Sequence, residues 1–105
     1  MKCLTLFLHA AHENGVVDCL RDAPEVPGFS LSDCRGHSAH TEDDRLSAAL
    51  DRVEGYVPRV RVEVMLEDEH VEPVLERLAR CTHALGTSRE VGAWFVADVT
   101  AHGRL

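Results

Sequence analysis

The sequence predicts an α+β domain, a four-stranded sheet carrying two helices on one face, and three observations predict it. Residues 57–66, VPRVRVEVML, place Val60, Val62, Val64 and Leu66 on one side and Arg59, Arg61, Glu63 and Met65 on the other, the period-2 pattern of a strand with one buried face. Residues 71–79 change period: Val71, Val74, Leu75, Leu78 and Ala79 fall on a single helical stripe. The elements follow the order β-α-β-loop-β-α-β, two βαβ-like halves that make one ferredoxin-like βαββαβ sandwich. The 105 residues, 45% of them apolar, fit one domain over 1–105 with a thin core, for which oligomerisation is a natural supplement.

The first strand covers 3–9, CLTLFLH, with Leu4, Leu6 and Leu8 alternating against Cys3, Thr5 and Phe7. The helix at 13–22 sets Val16, Val17 and Leu20 on one face; Gly15 weakens it and Ala23-Pro24 stops it. The second strand, 28–35, has Phe29 and Leu31 on one side and Ser30, Ser32 and Cys34 on the other. Residues 36–56 are the least regular stretch. Leu46, Ala49, Leu50 and Val53 recur there at helical spacing, and a connection this long inside a compact domain usually has a function or is disordered. In the second helix Asp68 and Glu69 suit the positive N-terminus and Arg77 and Arg80 the C-terminal half, while Pro73 fits only in the first turn. A turn-rich link follows, with Gly86 as a C-cap, and AWFVADV is the last strand. The sheet face away from the helices is expected to carry Cys3, Thr5, Phe7, Trp94 and Val96 among charges. Such a face is too apolar to be fully wet and predicts a second layer from other subunits. Trp94 and Phe95, adjacent in a strand, are expected to divide between core and subunit interface.

A net charge of −7 argues against nucleic acid or an anionic membrane as partner and suits a cation or a basic protein surface. The N-terminal apolar run, about six residues, is shorter than a signal-peptide core, and no stretch approaches the roughly 20 apolar residues of a membrane span. The expected location is the cytoplasm, without membrane insertion. There Cys3, Cys19, Cys34 and Cys81, which lack CxxC spacing, are expected as reduced thiols.

Cys34, His37 and His40 are equally spaced, and a thiolate with imidazoles favours zinc or copper over magnesium or calcium. Strand parity puts Cys34 and His37 on opposite faces, so only a loop beginning at Gly36 brings them together. A fourth ligand would come from His9, His12, an acid such as Glu42, or a neighbouring subunit. The alternative is a buried thiol followed by exposed loop histidines. Glu42, Asp43, Asp44 and the acids at 67–69 read as solvated charge or a helix start, and His70 and His83 as surface residues flanking the second helix. No third orienting group or oxyanion turn accompanies the Cys-His pair, so the chain does not read as an enzyme.

From residue 57 onward the chain resembles the P-II signalling family. Val57-Pro58-Arg59 leads into Val62-Glu63-Val64, then come an acidic turn, a helix, and a phosphate-type turn at Gly86-Thr87-Ser88-Arg89. Upstream, Arg35-Gly36 and His40-Thr41-Glu42 are similar to the start of that family's T-loop. The resemblance implies a homotrimer with ligand clefts between subunits, adenine nucleotides (ATP, ADP or AMP) as effectors, signalling through 36–56, and no catalysis. It implies Arg35, Gly36, Arg59, Thr82, Gly86, Thr87, Ser88, Arg89 and Arg104 as nucleotide-contacting residues, and His83 stands where the family places a small residue beside the ligand. The family's Gly-Asp-Gly-Lys is here Gly86-Thr87-Ser88-Arg89, which loses one glycine and the acid but keeps a cation. The loop has no tyrosine at the family's modification position; Tyr56, at its foot, is the only one. Gly28-Phe29, Gly36-His37, His40 and Gly103-Arg104-Leu105 are similar to a divergent P-II-like group found beside heavy-metal efflux pumps. That likeness implies a membrane transporter or efflux-pump component as target. The alternative function is direct divalent or soft metal binding, as a tolerance protein on the same trimeric scaffold.

Overall fold

A computed structural model describes residues 1–37, 57–84 and 91–105. Strand β1 (Lys2–His9) leads through a short 3-10 turn (Ala10–His12) into helix α1 (Glu13–Arg21). Strands β2 (Phe29–Gly36) and β3 (Val57–Leu66) follow, then a second 3-10 turn (Asp68–His70), helix α2 (Val71–Ala84) and strand β4 (Gly92–Asp98). The sheet order is β2-β3-β1-β4 with every neighbouring pair antiparallel. This is the α+β, ferredoxin-like arrangement expected. The expected helix around Leu46–Val53, most of the 36–56 segment, and the Gly86 C-cap lie outside the described residues.

The register explains the core. Leu4, Leu6 and Leu8 pair with Val64, Val62 and Val60, so side chains from the two central strands form one apolar layer under the helices. Val16, Cys19 and Leu20 of α1 and Val74 and Leu78 of α2 close that layer from above. Each fully buried Leu or Val contributes about 1.5–3 kcal/mol relative to exposure. Pro73 is the third residue of α2, within the first turn, where its missing N–H breaks no helical bond. The chain termini are tied down electrostatically. The Met1 ammonium lies 2.7 Å from Asp68, whose carboxyl it holds below the usual carboxylate range by donating a hydrogen bond. Lys2 pairs with Asp98 across the β1–β4 ladder, and the same carboxylate raises the Lys2 ammonium pKa.

Three expectations are corrected. Trp94 and Val96 do not lie on the open sheet face. They pair with Leu6 and Leu4 and therefore point to the helix side, while Ala93, Phe95 and Ala97 share the open face with Phe7, Thr5 and Cys3. Neither aromatic is core: Trp94, on the helix side of the edge strand β4, is 57% exposed, and Phe95, on the open face that no helix covers, is 47% exposed. The cysteines are not all reduced. Cys19 of α1 and Cys81 of α2 form a disulfide, their Cα atoms 6.4 Å apart, and Cys3 and Cys34 are free. The two helices pack side by side on the sheet and bring together positions 62 residues apart, a proximity that sequence spacing does not encode.

The open face is mixed as expected. Phe7 and Phe95 rings lie 6.2 Å apart, Arg61 sits 5.7 Å over Phe7, and Arg61 also pairs with Glu63 at 2.7 Å. Thr5, at the centre of this face, is only 2% exposed. Among the described residues no helix is long and apolar enough to cross a membrane.

Candidate functional site

A cleft of about 530 Å³ opens between α2 and β4. One wall is α2, through Leu75, Leu78 and Ala79, with Thr82 and His83 at its end; the other is Val91, Gly92 and Trp94. The apolar floor comes from Leu6 and Leu8 of β1. The volume falls in the range of small-molecule sites, and the lining is largely apolar with two polar groups at one end, the usual make-up of such sites.

Local sequence sets each wall. Gly92 is the first residue of β4 and faces Leu8; a Cβ there would strike the Phe7 backbone carbonyl, so glycine lets β4 begin tight against β1. The His9 N–H donates to the Val91 carbonyl at 3.1 Å and fixes the approach to the strand. At the opposite wall the Thr82 hydroxyl shares its hydrogen between the carbonyls of Leu78 (2.9 Å) and Ala79 (3.1 Å). With that proton engaged, its oxygen lone pairs remain for a ligand N–H or O–H. His83 is exposed at the rim. Residues 85–90, which hold Gly86, Thr87, Ser88 and Arg89, join the two walls in sequence and lie outside the described residues. Of the expected phosphate-type turn, the structure therefore places only Thr82.

A second constellation lies at the other side of the sheet. Cys34, Arg59 and His9 occupy one row of the open face across β2, β3 and β1, with Arg59 in the middle. Arg59 Nη1 is 3.5 Å from His9 Nε2. The Arg59 side chain crosses directly over Gly36, in space that any Cβ at that position would occupy. Gly36, Arg59 and Cys34 thus come together as neighbours. Arg35 pairs with Pro58 and so belongs to the opposite face; His37 follows the end of β2 and is exposed, as is Arg104 near the C-terminus. His40 lies outside the described residues. Among the described residues no three His, Cys, Asp or Glu side chains are grouped to hold a metal, and Arg59 separates Cys34 from His9, one of the expected fourth ligands.

Sequence reasoning missed Trp94 as a wall of the cleft. The signal was the parity of the last strand against the first: pairing Gly92 with Leu8 puts Trp94 beside Leu6.

The model of the DUF3240 family, described as a protein family of unknown function, matches residues 1–105. The chain belongs to that family. No curated protein matches the sequence. Among solved structures, it is similar to a DUF3240 family protein from Shewanella baltica OS155, with a TM-score of 0.75 at 18% identity, covering 99% of this chain and 94% of the other. It is also similar to CPII, a nitrogen regulatory PII-like protein from Thiomonas intermedia K12 bound to ADP, AMP and bicarbonate, with a TM-score of 0.68 at 21% identity and the same coverage. At these identities the likeness establishes a shared fold, so this DUF3240 protein has a PII-like architecture.

Proposed function

We propose that this DUF3240 protein is a non-enzymatic regulator that binds an adenine nucleotide and reports it through residues 36–56. The observation that carries the reading is positional. The α2–β4 cleft is walled by the residues flanking 85–90, the segment that resembles a phosphate turn, in a fold shared with a protein whose structure holds ADP and AMP. Arg89 supplies charge to the phosphates, backbone N–H groups around Gly86, Thr87 and Ser88 cradle them, and Thr82 lies at the edge of the same site. Arg35, Gly36 and Arg59, at the β2–β3 end of the sheet, and Arg104 contribute from an adjoining subunit of a homotrimer. The trimer packs through the open face around Phe7, Met65 and Phe95, where Thr5 is already dry. The downstream partner is a membrane transporter or efflux-pump component, in keeping with the acidic surface and with the likeness of Gly28-Phe29 and Gly103-Arg104-Leu105 to the efflux-associated group.

A second reading, direct zinc or copper binding by Cys34, His37 and His40, is supported by the free, half-buried Cys34 thiol placed three residues before His37. Calorimetry with ATP, ADP, AMP, Zn²⁺ and Cu⁺ separates the two. The nucleotide reading expects ADP or AMP binding that falls at least about tenfold in Arg89→Ala and is untouched in the His37→Ala/His40→Ala double variant. The absence of binding by any of the three nucleotides sinks it. Metal binding that survives the double variant sinks the Cys34-His37-His40 site. Light scattering at micromolar concentration tests the trimer, and a monomer there contradicts it.

A further inference from the structure

The Cys19–Cys81 bridge joins the two helices at a functionally exposed point. Cys19 is embedded in the core at 6% exposure, whereas Cys81, in the last turns of α2, is partly exposed. Thr82 and His83, the polar end of the cleft, follow Cys81 directly in the same helical turn. Thr82 is also hooked by its hydroxyl to the carbonyls of Leu78 and Ala79, which ties it to the preceding turn of the same helix. Cys81 is thus the residue through which α1 is covalently tied to the turn that forms the wall opposite Trp94.

We propose that Cys19 and Cys81 form a reversible redox clasp that sets the shape of the α2–β4 cleft and thereby its affinity for ligand. The affinity part rests on the cleft being the nucleotide site; the change of shape does not. The co-reactant is a low-molecular-weight thiol of the glutathione class. Its thiolate attacks the accessible Cys81 sulfur, the Cys19–Cys81 bond breaks, and Cys19 leaves as a thiolate that takes up a proton. A second external thiolate attacks the mixed disulfide, forms the external disulfide, and releases Cys81, which is protonated in turn. The protein gains two electrons and two protons, and two external thiols become one disulfide. The reverse sequence closes the clasp. Cys3 and Cys34 lie on the open sheet face, away from the cleft, and take no part.

The test uses the full-length protein equilibrated at a series of reduced-to-oxidised glutathione ratios, with no variant needed for the first readout. Trp94 is the only tryptophan and lines the cleft, so its emission reports the wall directly. Expected on reduction are a rise in thiols titrated after denaturation from the two free cysteines to all four, a shift in Trp94 emission, and an ADP dissociation constant changed by about fivefold or more. Cys81→Ser, which can form neither the bridge nor an adduct beside the cleft, should hold one emission state at every ratio. The glutathione adduct should form on Cys81 in Cys19→Ser, and not on Cys19 in Cys81→Ser, because Cys19 is buried. The clasp is overturned if the bridge stays oxidised at the most reducing ratio, if Trp94 emission is the same in both states, or if the emission shift persists in Cys81→Ser. Unchanged ADP affinity despite a changed emission overturns the affinity part. Should no adenine nucleotide bind either form, the nucleotide reading falls, and Trp94 emission alone still decides for or against the clasp.

Discussion

Reducing the Cys19–Cys81 bridge should cost the fold a measurable fraction of its stability. The bridge closes a span of 62 residues. The chain-entropy relation for a loop of that length gives about 4 kcal/mol at 25 °C, and native bridges in small domains are worth about 2–5 kcal/mol. With a urea slope of about 2 kcal/mol per molar for a chain of this size, reduction should lower the unfolding midpoint by about 2 M. The assay is urea denaturation followed by circular dichroism, with and without reductant, at several protein concentrations so that any assembly contribution is separated. The double variant Cys19→Ala/Cys81→Ala isolates the covalent part. Relative to reduced wild type it loses only the buried sulfur contacts, about 1 kcal/mol per site. A midpoint that moves by less than about 0.5 M on reduction would refute the reasoning. It would mean that the unfolded chain, even without the bridge, keeps residues 19 and 81 close enough that the covalent link removes little entropy.

Three further outcomes are expected. Gly92→Ala should destabilise by about 1–3 kcal/mol, since its methyl would meet the Phe7 carbonyl in the middle of the sheet, and thermal unfolding reads the loss directly. Leu4→Ala, at a fully buried position, should cost about 2–5 kcal/mol by the same measurement. Asp68, whose folded pKa lies below its ordinary value of 3.8, contributes stability that is complete above that pH and is lost as pH falls through the depressed folded value. The stability difference between wild type and Asp68→Asn should therefore be present at neutral pH and vanish in strong acid; a difference constant across that range would exclude the Met1 ammonium as its cause. Lys2, raised above 10.5 by Asp98, acts with the opposite sign, its contribution disappearing only as pH rises beyond that value.

The elements were legible because each states its own period. Val60, Val62, Val64 and Leu66 announce a one-sided strand whatever lies beside it, and all four are buried under the helices. The sheet order followed from chain order, because two βαβ-like halves have few ways to share one sheet. What depends on register was not legible. Trp94 and Val96 change faces with a one-residue choice of pairing to β1, and nothing local in AWFVADV makes that choice. The Cys19–Cys81 contact depends on the rotation of two helices about their own axes, which the sequence expresses only through the apolar stripes of both together. At the candidate sites, Gly36 and Arg59 were singled out by resemblance, and the physical reason appears only in space: one supplies the room that the other fills. Cys34, too, gains meaning from its row, where the cation of Arg59 rather than another ligand is its cross-strand neighbour.

The placement of β1 between β3 and β4 has a consequence for how the molecule comes into being. Of the four strands, the one translated earliest occupies an interior position, and one of its two partners, residues 92–98, is the one translated last. Leu4, Leu6 and Leu8 therefore have only the β3 side of their ladder until β4 emerges, and the sheet closes only after the longest-range strand pairing among the described residues is made. Folding should accordingly be governed by that late pairing rather than by the local formation of helices α1 and α2. A chain stopped before Gly92 would present β1 as a bare edge, a template for pairing with another chain instead of its own.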